Sequence, residues 1–469
     1  MDIRGAHQRS VPANDGRRGP HSGYRWVICL LLFSATTINY VDRQVFSLLG
    51  PDLTQEFRWS ESDYSLIVSA FTLAYAIGYS LAGRMMDRLG VRKGFVLVVT
   101  VWSAAAMMHG LVRPLVDSVL PFWKVVLGGT ALGGLTPRIV SLAGFSTARF
   151  ALGVSEGGNF PGAIKTVSQW YPKRERALAT GIFNAGSDTG SIVAACAVPW
   201  IVKDMNWGWP AAFYMTGALG FLWLVFWILI YDSPQRHPRV SAAELAYICS
   251  DPPDPPAHLA WRTLLRHRQT WAYAVGMFLT SPIWWFILFW LPKFLKNNHG
   301  IDLRHVFWPL LLVYLMADVG GISGGGLSSW LMHRGRTVNF ARKTALLACA
   351  LCALPVAAAP RVPGMWTAVL LVGLAAAAQQ GFSANLMTIV SDTVPRKAVA
   401  SVIGIGGTAA CLGMLLFSTF VGWLLDWTET VYGEKDYAIP FLMAASAYLT
   451  AAGIVHLLLP RLQSMGFAD

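Results

Sequence analysis

Charge is scarce in this chain. Asp, Glu, Lys and Arg together make up 13% of its 469 residues, against 54% hydrophobic. A soluble core of that composition would lack the polar surface to cover itself, so lipid must solvate much of the chain. Apolar and polar residues do not alternate over long stretches, which argues against the strands of a membrane barrel. The apolar runs are continuous, and in lipid such a run satisfies its own backbone only as a helix. Cysteine is sparse too. Cys29, Cys196, Cys349, Cys352 and Cys411 lie inside apolar runs without ligand spacing, so neither a disulfide framework nor a metal site is expected. The first 24 residues lack the apolar stretch of a cleavable signal. They are polar and basic, with Arg17 and Arg18, and read as a disordered cytoplasmic tail. The ten histidines include no His-x-x-x-His pair, and no Ser–His or paired-acid arrangement is evident, so no catalytic residue, cofactor or enzyme activity is expected.

Apolar runs of membrane-spanning length recur from Trp26 almost to the C-terminus; each needs roughly 20 residues to cross about 30 Å of hydrocarbon. They fall at about 25–49, 62–86, 94–112, 142–166, 177–202, 209–231, 269–291, 304–330, 344–360, 363–391, 398–425 and 438–460. The formal charge of +12 is spread in short clusters between these runs, so it reads as topology rather than nucleic-acid affinity. With the N-terminus taken as inside, Lys and Arg concentrate in the inside loops, which predicts both termini in the cytoplasm.

Residues 232–268 carry Pro234, Pro238, a Pro-rich stretch at 252–256 and Arg262, Arg266 and Arg268. They separate a first bundle, 25–231, from a second, 269–460, leaving 461–469 as a short tail. An internal repeat supports the division: Tyr171-Pro172-Lys173-Arg174 precedes Gly181-Ile182 as Val394-Pro395-Arg396-Lys397 precedes Gly404-Ile405, with equal Pro-to-Gly spacing. The expected fold is an all-α membrane protein of about twelve helices in two pseudo-symmetric six-helix bundles, with substrate held between them near the midplane. The long, partly apolar segment 113–141 has no evident physical role. Gly320-Gly321 and Gly324-Gly325-Gly326 follow no strand and suit close helix contact better than phosphate binding.

Four ionisable residues sit inside apolar runs: Asp42, Arg43, Arg149 and Glu156. Each costs roughly 2.5–3.5 kcal/mol at mid-bilayer, so facing lipid is excluded for the set. Arg149 and Glu156 are two helical turns apart and can face one cavity; a buried cluster that only ties helices together would look the same. An excess guanidinium in a watery cavity suits a carboxylate ligand. Trp284 and Trp285 lie between Pro282 and Pro292; their ring faces suit a sugar ring, and Pro282 can kink the helix into a gate. Trp290 equally suits an interfacial anchor. Gln379, Gln380, Ser383, Asn385, Tyr314 and Asp318 add polar groups for hydroxyls, or for helix packing.

Gly83-Arg84-Met85-Met86-Asp87-Arg88-Leu89-Gly90-Val91-Arg92-Lys93 resembles the signature loop of the major facilitator superfamily. There Gly83 and Gly90 allow a tight turn and close approach, and Asp87, with Arg88 and Arg92 nearby, forms a latch to an Arg or a helix end. Asn39 to Arg43, Gly153 to Pro161, Trp284 to Lys293, Ala317 to Gly320, Asn339 to Lys343 and Ser383 to Leu386 together resemble the anion:cation symporters, and within them the hexuronate (galacturonate and glucuronate) transporters. The resemblance spans most of 25–460. It implies proton-driven uptake of a sugar acid by a bacterial inner-membrane protein, a monomer in the lipid bilayer. In this reading Arg43 grips the carboxylate, Asp42 and Glu156 carry the coupled proton, and Arg149 modulates Glu156. Tyr40, Tyr75, Asn184, Ser187, Trp284, Trp285, Gln380 and Asn385 line the site. Asp188 stands where the resemblance leads one to expect a neutral residue, and Ser281 where an acid is common. An aldonate, tartrate or aromatic acid as substrate, and a sensor that binds without transport, are the alternatives.

Overall fold

The computed structural model describes residues 23–118, 136–251, 261–299, 307–433 and 435–465. The tail expected at 1–24 therefore falls almost wholly outside the described residues, as do the Pro-rich stretch 252–256 and most of 113–141.

The first half contains α1 (Tyr24–Phe57), α2 (Glu61–Leu89), α3 (Val91–Gly110), α4 (Pro137–Glu156), α5 (Asn159–Trp170), α6 (Lys173–Pro199) and α7 (Trp209–Ile230). Two short helices follow, α8 (Ala242–Ile248) and α9 (Trp261–Leu264). The second half contains α10 (Arg268–His299), α11 (Phe307–His333), α12 (Val338–Ala353), α13 (Met365–Thr393), α14 (Val399–Tyr432) and α15 (Ala438–Leu458). Ten of the described helical stretches are long and apolar enough to cross a membrane. The pair α4 and α5, interrupted at Gly157-Gly158, and the 32-residue α10 complete a twelve-span, all-helical bundle.

Local chemistry fixes where these helices start. Ser60 and Asp63 form a reciprocal capping box at α2, Thr136 caps α4 ahead of Pro137, and Thr337 caps α12; each satisfies backbone donors that the first turn leaves free. The start of α1 has no cap of its own. Glu244 of α8 supplies one, accepting from the backbone N–H groups of Tyr24 and Arg25 at 3.1 Å each. The carboxylate offsets the positive end of the helix dipole and pins the connector to the first bundle. Arg25 bridges onward to Glu175 at 2.8 Å, and Tyr247 donates to the same carboxylate at 2.6 Å. Burial, followed by the bond to Glu175, pushes the Tyr247 hydroxyl up to about 12, so it stays a donor at neutral pH.

The halves meet along two crossings, α2 on α14 and α6 on α11. Both are made by glycine. A Cβ on Gly83 would lie 2.3 Å from the Ala400 carbonyl oxygen, and one on Gly404 would lie 2.4 Å from that of Tyr79. At the other crossing, a Cβ on Gly181 would meet the Gly321 oxygen at 2.3 Å and one on Gly325 the Ala177 oxygen at 2.2 Å. Gly181 and Gly404, the repeat-related pair, thus occupy equivalent places in the two crossings. Both crossings lie toward the end of the bundle that carries the α2–α3 turn, termed here the loop end.

At the loop end Asp87 accepts from the Ser401 backbone N–H, in the first turn of α14, at 2.7 Å. Its other oxygen accepts from Lys165 at 2.8 Å. Gly90, at φ 79°, makes the turn into α3 that a side chain would strain. Arg88 is exposed, and Arg92 donates to the Ile228 carbonyl at 3.0 Å, within its own half. Asp392 of α13 bridges Arg176 of α6 at 3.3 Å and Arg342 of α12 at 2.9 Å. The bundle is closed at this end.

Gly83→Val should hold the halves apart there. Overpacking costs about 1–3 kcal/mol, which lowers the closed-to-open ratio by roughly fivefold to a hundredfold. Distances between labels on the two halves at the loop end are expected to lengthen accordingly while the melting temperature changes little; a wild-type distance distribution would contradict the assignment of this crossing to closure.

Candidate functional site

Between the halves, in the middle of the bundle, lies a cavity of about 100 Å³, room for several water molecules. The first half contributes Tyr40 and Arg43 from α1, Phe71, Thr72, Tyr75 and Tyr79 from α2, Phe160 from α5, and Asn184 and Ser187 from α6. The second half contributes Met277, Ser281, Trp284 and Trp285 from α10, Gln379, Gln380, Ser383 and Met387 from α13, and Gly407, Ala410, Cys411 and Met414 from α14. Arg43 is the one charged side chain among these described residues.

Helical spacing accounts for most of this wall. Phe71, Tyr75 and Tyr79 recur every four residues and form one aromatic face of α2. Tyr75 stacks on Phe71 with centroids 5.6 Å apart and meets Tyr79 edge-on at 4.9 Å. The Arg43 guanidinium is packed among these rings, 4.4 Å from the Tyr75 centroid and 4.6 Å from that of Tyr40, an arrangement that favours a planar, weakly hydrated cation.

Behind Arg43 sits Glu156. Arg43 Nε and Nη2 donate to the same carboxylate oxygen, Oε2, at 3.1 and 2.9 Å. Glu156 is fully buried, whereas the Arg43 side chain keeps 9% of its surface exposed. Arg43 Nη1 and Glu156 Oε1 are buried with no hydrogen-bond partner. The close approach of α4 to α2 puts Glu156 there: a Cβ on Gly153 would lie 2.5 Å from the Phe71 carbonyl oxygen, and one on Gly78 would lie 2.2 Å from that of Val154. The break at Gly157-Gly158 follows immediately.

Arg149 lies one layer further back. Its guanidinium stands 4.3 Å over Phe46 and 4.9 Å over Phe71, and Nη2 donates to the Arg43 backbone carbonyl at 3.4 Å. It steadies α1 at the point where Arg43 leaves it, and no hydrogen bond joins it to the Glu156 carboxylate in the structure. Asp42 does not line the cavity, although it lies within electrostatic reach of Glu156. Adjacent helix residues point about 100° apart, so with Arg43 on the cavity face Asp42 turns into the helix packing. It is 2% exposed there, both carboxyl oxygens unpartnered.

Of the expected lining residues, Tyr40, Arg43, Tyr75, Asn184, Ser187, Trp284, Trp285 and Gln380 all reach the cavity. Asn385 does not. Five residues beyond Gln380 it points away, and its Nδ2 donates at 2.9 Å to the carbonyls of Gly324 and Gly381, tying α13 to α11. A polar chain leads out of the cavity wall: Asn184 donates to Gln380 at 2.8 Å, and Gln380 donates to Asp188 at 2.8 Å. Phe71 and Tyr79 escaped the sequence reading although their spacing from Tyr75 signals them. Gly407, Ala410, Cys411 and Met414 carry no chemistry that a sequence could flag. Lys165, the partner of Asp87, was missed because a lone Lys near the end of an apolar stretch resembles a topology signal.

A family description of the Major Facilitator Superfamily matches residues 32–418. The chain belongs to the Major Facilitator Superfamily. It is therefore a multi-pass membrane transporter and not an enzyme. Within the superfamily it is 30% identical over 415 residues to the hexuronate transporter of Escherichia coli (strain K12), covering 86% of this chain and 88% of that one. It is 26% identical over 448 residues to the protein of Bacillus subtilis (strain 168) named "probable galactarate/D-glucarate transporter", covering 93% of each. Among solved structures, the proton:xylose symporter bound to 6-bromo-6-deoxy-D-glucose superposes with a TM-score of 0.68 at 15% identity, over 95% of this chain and 98% of that one. This likeness shows the superfamily fold and nothing finer.

Proposed function

We propose that this superfamily member is a proton-coupled symporter of a hexuronate such as galacturonate or glucuronate. It would take up the acid across a bacterial inner membrane with both termini and the loop end in the cytoplasm. The observation that carries the reading is the Arg43–Glu156 pair: a guanidinium exposed to the cavity, with an acid sealed behind it. A substrate carboxylate that takes Arg43 competes with Glu156 for the same N–H groups. Glu156, losing its partner in a buried setting, must bind a proton or leave an uncompensated charge. Acid and proton then arrive together, and the neutralised site can be enclosed as the halves rock about the glycine crossings. Asp42 has no step in this scheme, because it does not line the cavity that substrate enters.

Counting charges separates a monoacid from a diacid, and the flat faces of Trp284 and Trp285 favour a ring among the monoacids. A hexuronate carries one carboxylate and an uncharged ring, whereas an aldarate such as galactarate carries two carboxylates. The lining offers one cation, hydroxyls and amides at Thr72, Asn184, Ser187, Gln380 and Ser383, and the rings of Trp284 and Trp285. That set satisfies a monoacid and would leave a second carboxylate without a counter-ion. Uptake by purified protein in vesicles across hexuronates, aldonates and aldarates, with and without an acid-outside gradient, tests the proposal. Gradient-stimulated uptake of galacturonate or glucuronate, competed at least about tenfold less well by galactarate, is expected. Ligand binding without flux, or gradient-insensitive uptake, would contradict it.

A further inference from the structure

Asp188 and Asp318 come from opposite halves, on α6 and α11, at the crossing that also carries Gly181 and Gly321. Their carboxyls approach each other across this crossing. Asp188 is 1% exposed and also accepts from Gln380 at 2.8 Å; Asp318 Oδ1 is buried and has no partner. The other titratable groups facing Asp188 are Tyr40 from α1 and Tyr314 from α11. No Lys or Arg among the described residues forms an ion pair with either aspartate.

We propose that Asp188 and Asp318 form a second proton site, a carboxyl pair that holds one shared proton between the halves whenever the bundle is closed at the loop end. Two ionised carboxylates so placed repel and can only accept hydrogen bonds, so one proton shared between them is what lets the two sit together. No described cation pairs with either carboxyl, and the neutral donor Gln380 only partly offsets the repulsion of two anions. When the halves separate at the loop end the contact is broken, the O–H of the donor carboxyl dissociates, and the proton passes to water entering the gap. Closing the loop end again takes one proton back. Gln380 and Asn184, which line the cavity and lead by hydrogen bonds to Asp188, give substrate a two-link route to the same pair.

The inference rests on alternating access and is independent of which acid is carried. It is tested by measuring distances between spin labels at Gln55→Cys and Arg361→Cys, exposed positions at the end opposite the loop, in the full-length protein with its six cysteines replaced. Raising the pH is expected to shift the wild-type distribution toward the shorter distance, as the loop end opens, by up to about tenfold in population per pH unit, the limit for one proton. Asp188→Asn and Asp318→Asn each put an amide donor opposite the remaining carboxylate, so either should abolish the shift. They should also remove a protonated-carboxyl infrared band present in the wild type. Both variants make the same pair, so one that fails to insert leaves the other to carry the test. A wild-type response in both Asp variants would overturn the proposal. Failure of hexuronate symport would leave the distance response intact, which separates the two readings.

Discussion

Arg43→Ala is expected to reduce uptake of every acid the protein carries by about a hundredfold or more. Truncating one member of a buried, hydrogen-bonded charge pair costs roughly 2–5 kcal/mol, and here the loss is double. The substrate carboxylate has no other cation among the described lining residues, and Glu156, fully buried, loses both of its hydrogen bonds. Glu156 must then hold its proton permanently, so coupling fails along with binding. Arg43→Lys keeps the charge but not the fork that stacks between Tyr40 and Tyr75, and should fall between the wild type and the alanine variant. Uptake and binding, measured with the same radiolabelled hexuronate, should decline together. An alanine variant within tenfold of wild type on both would remove Arg43 from the site.

Glu156→Gln should separate exchange from accumulation. Glutamine fills the same space and its amide oxygen still accepts from Arg43, but it cannot take up a proton. Counterflow between loaded vesicles and external substrate requires only binding and rocking, and should persist within about threefold of wild type. Uphill accumulation under a pH gradient requires the proton, and should vanish. Because Arg43 loses a competing anion, substrate affinity is expected to rise rather than fall, the opposite of what damage to the fold would produce. Gradient-driven accumulation that survives in this variant would place the coupling proton elsewhere, with Asp188 and Asp318 the next groups to replace.

The sequence exposes what lipid makes costly and hides what packing decides. Arg43 and Glu156 are legible because a charge in an apolar run demands a partner, and a site is the cheapest explanation for several together. The aromatic wall of α2 is legible in part, since Tyr75 leads to Phe71 and Tyr79 by helical spacing alone. Which face of a helix turns inward is not written so plainly. Asp42 and Arg43 are neighbours in sequence, yet only Arg43 meets the cavity, and Asn385 turns its amide onto the backbone of α11 instead of toward substrate. Rotation of each helix is set by its glycine contacts, such as Gly153 against Phe71 and Gly404 against Tyr79, and one sequence does not reveal which partner a glycine will meet. The same holds for Asp392, which links Arg176 to Arg342 across the halves, and for Lys165, whose role follows from its distance to Asp87.

The two proposals give the protein two layers of proton chemistry. In the proposed scheme Arg43 and Glu156 join substrate to a proton inside one half, while Asp188 and Asp318 join a proton to the meeting of the halves, with Gln380 between the two. The glycine crossings allow the closed end to seal without side chains in the way, and the Asp87 contact with α14 holds it shut.

The central claim is that a substrate carboxylate displaces Glu156 from Arg43 and so creates a proton-binding group. Proton uptake on adding galacturonate to purified protein in weakly buffered solution, followed with a pH-sensitive dye, measures this directly. About one proton taken up per bound acid in the wild type, and none in Glu156→Gln, is the expected result. Binding without proton uptake in the wild type, or equal uptake in the variant, would contradict it.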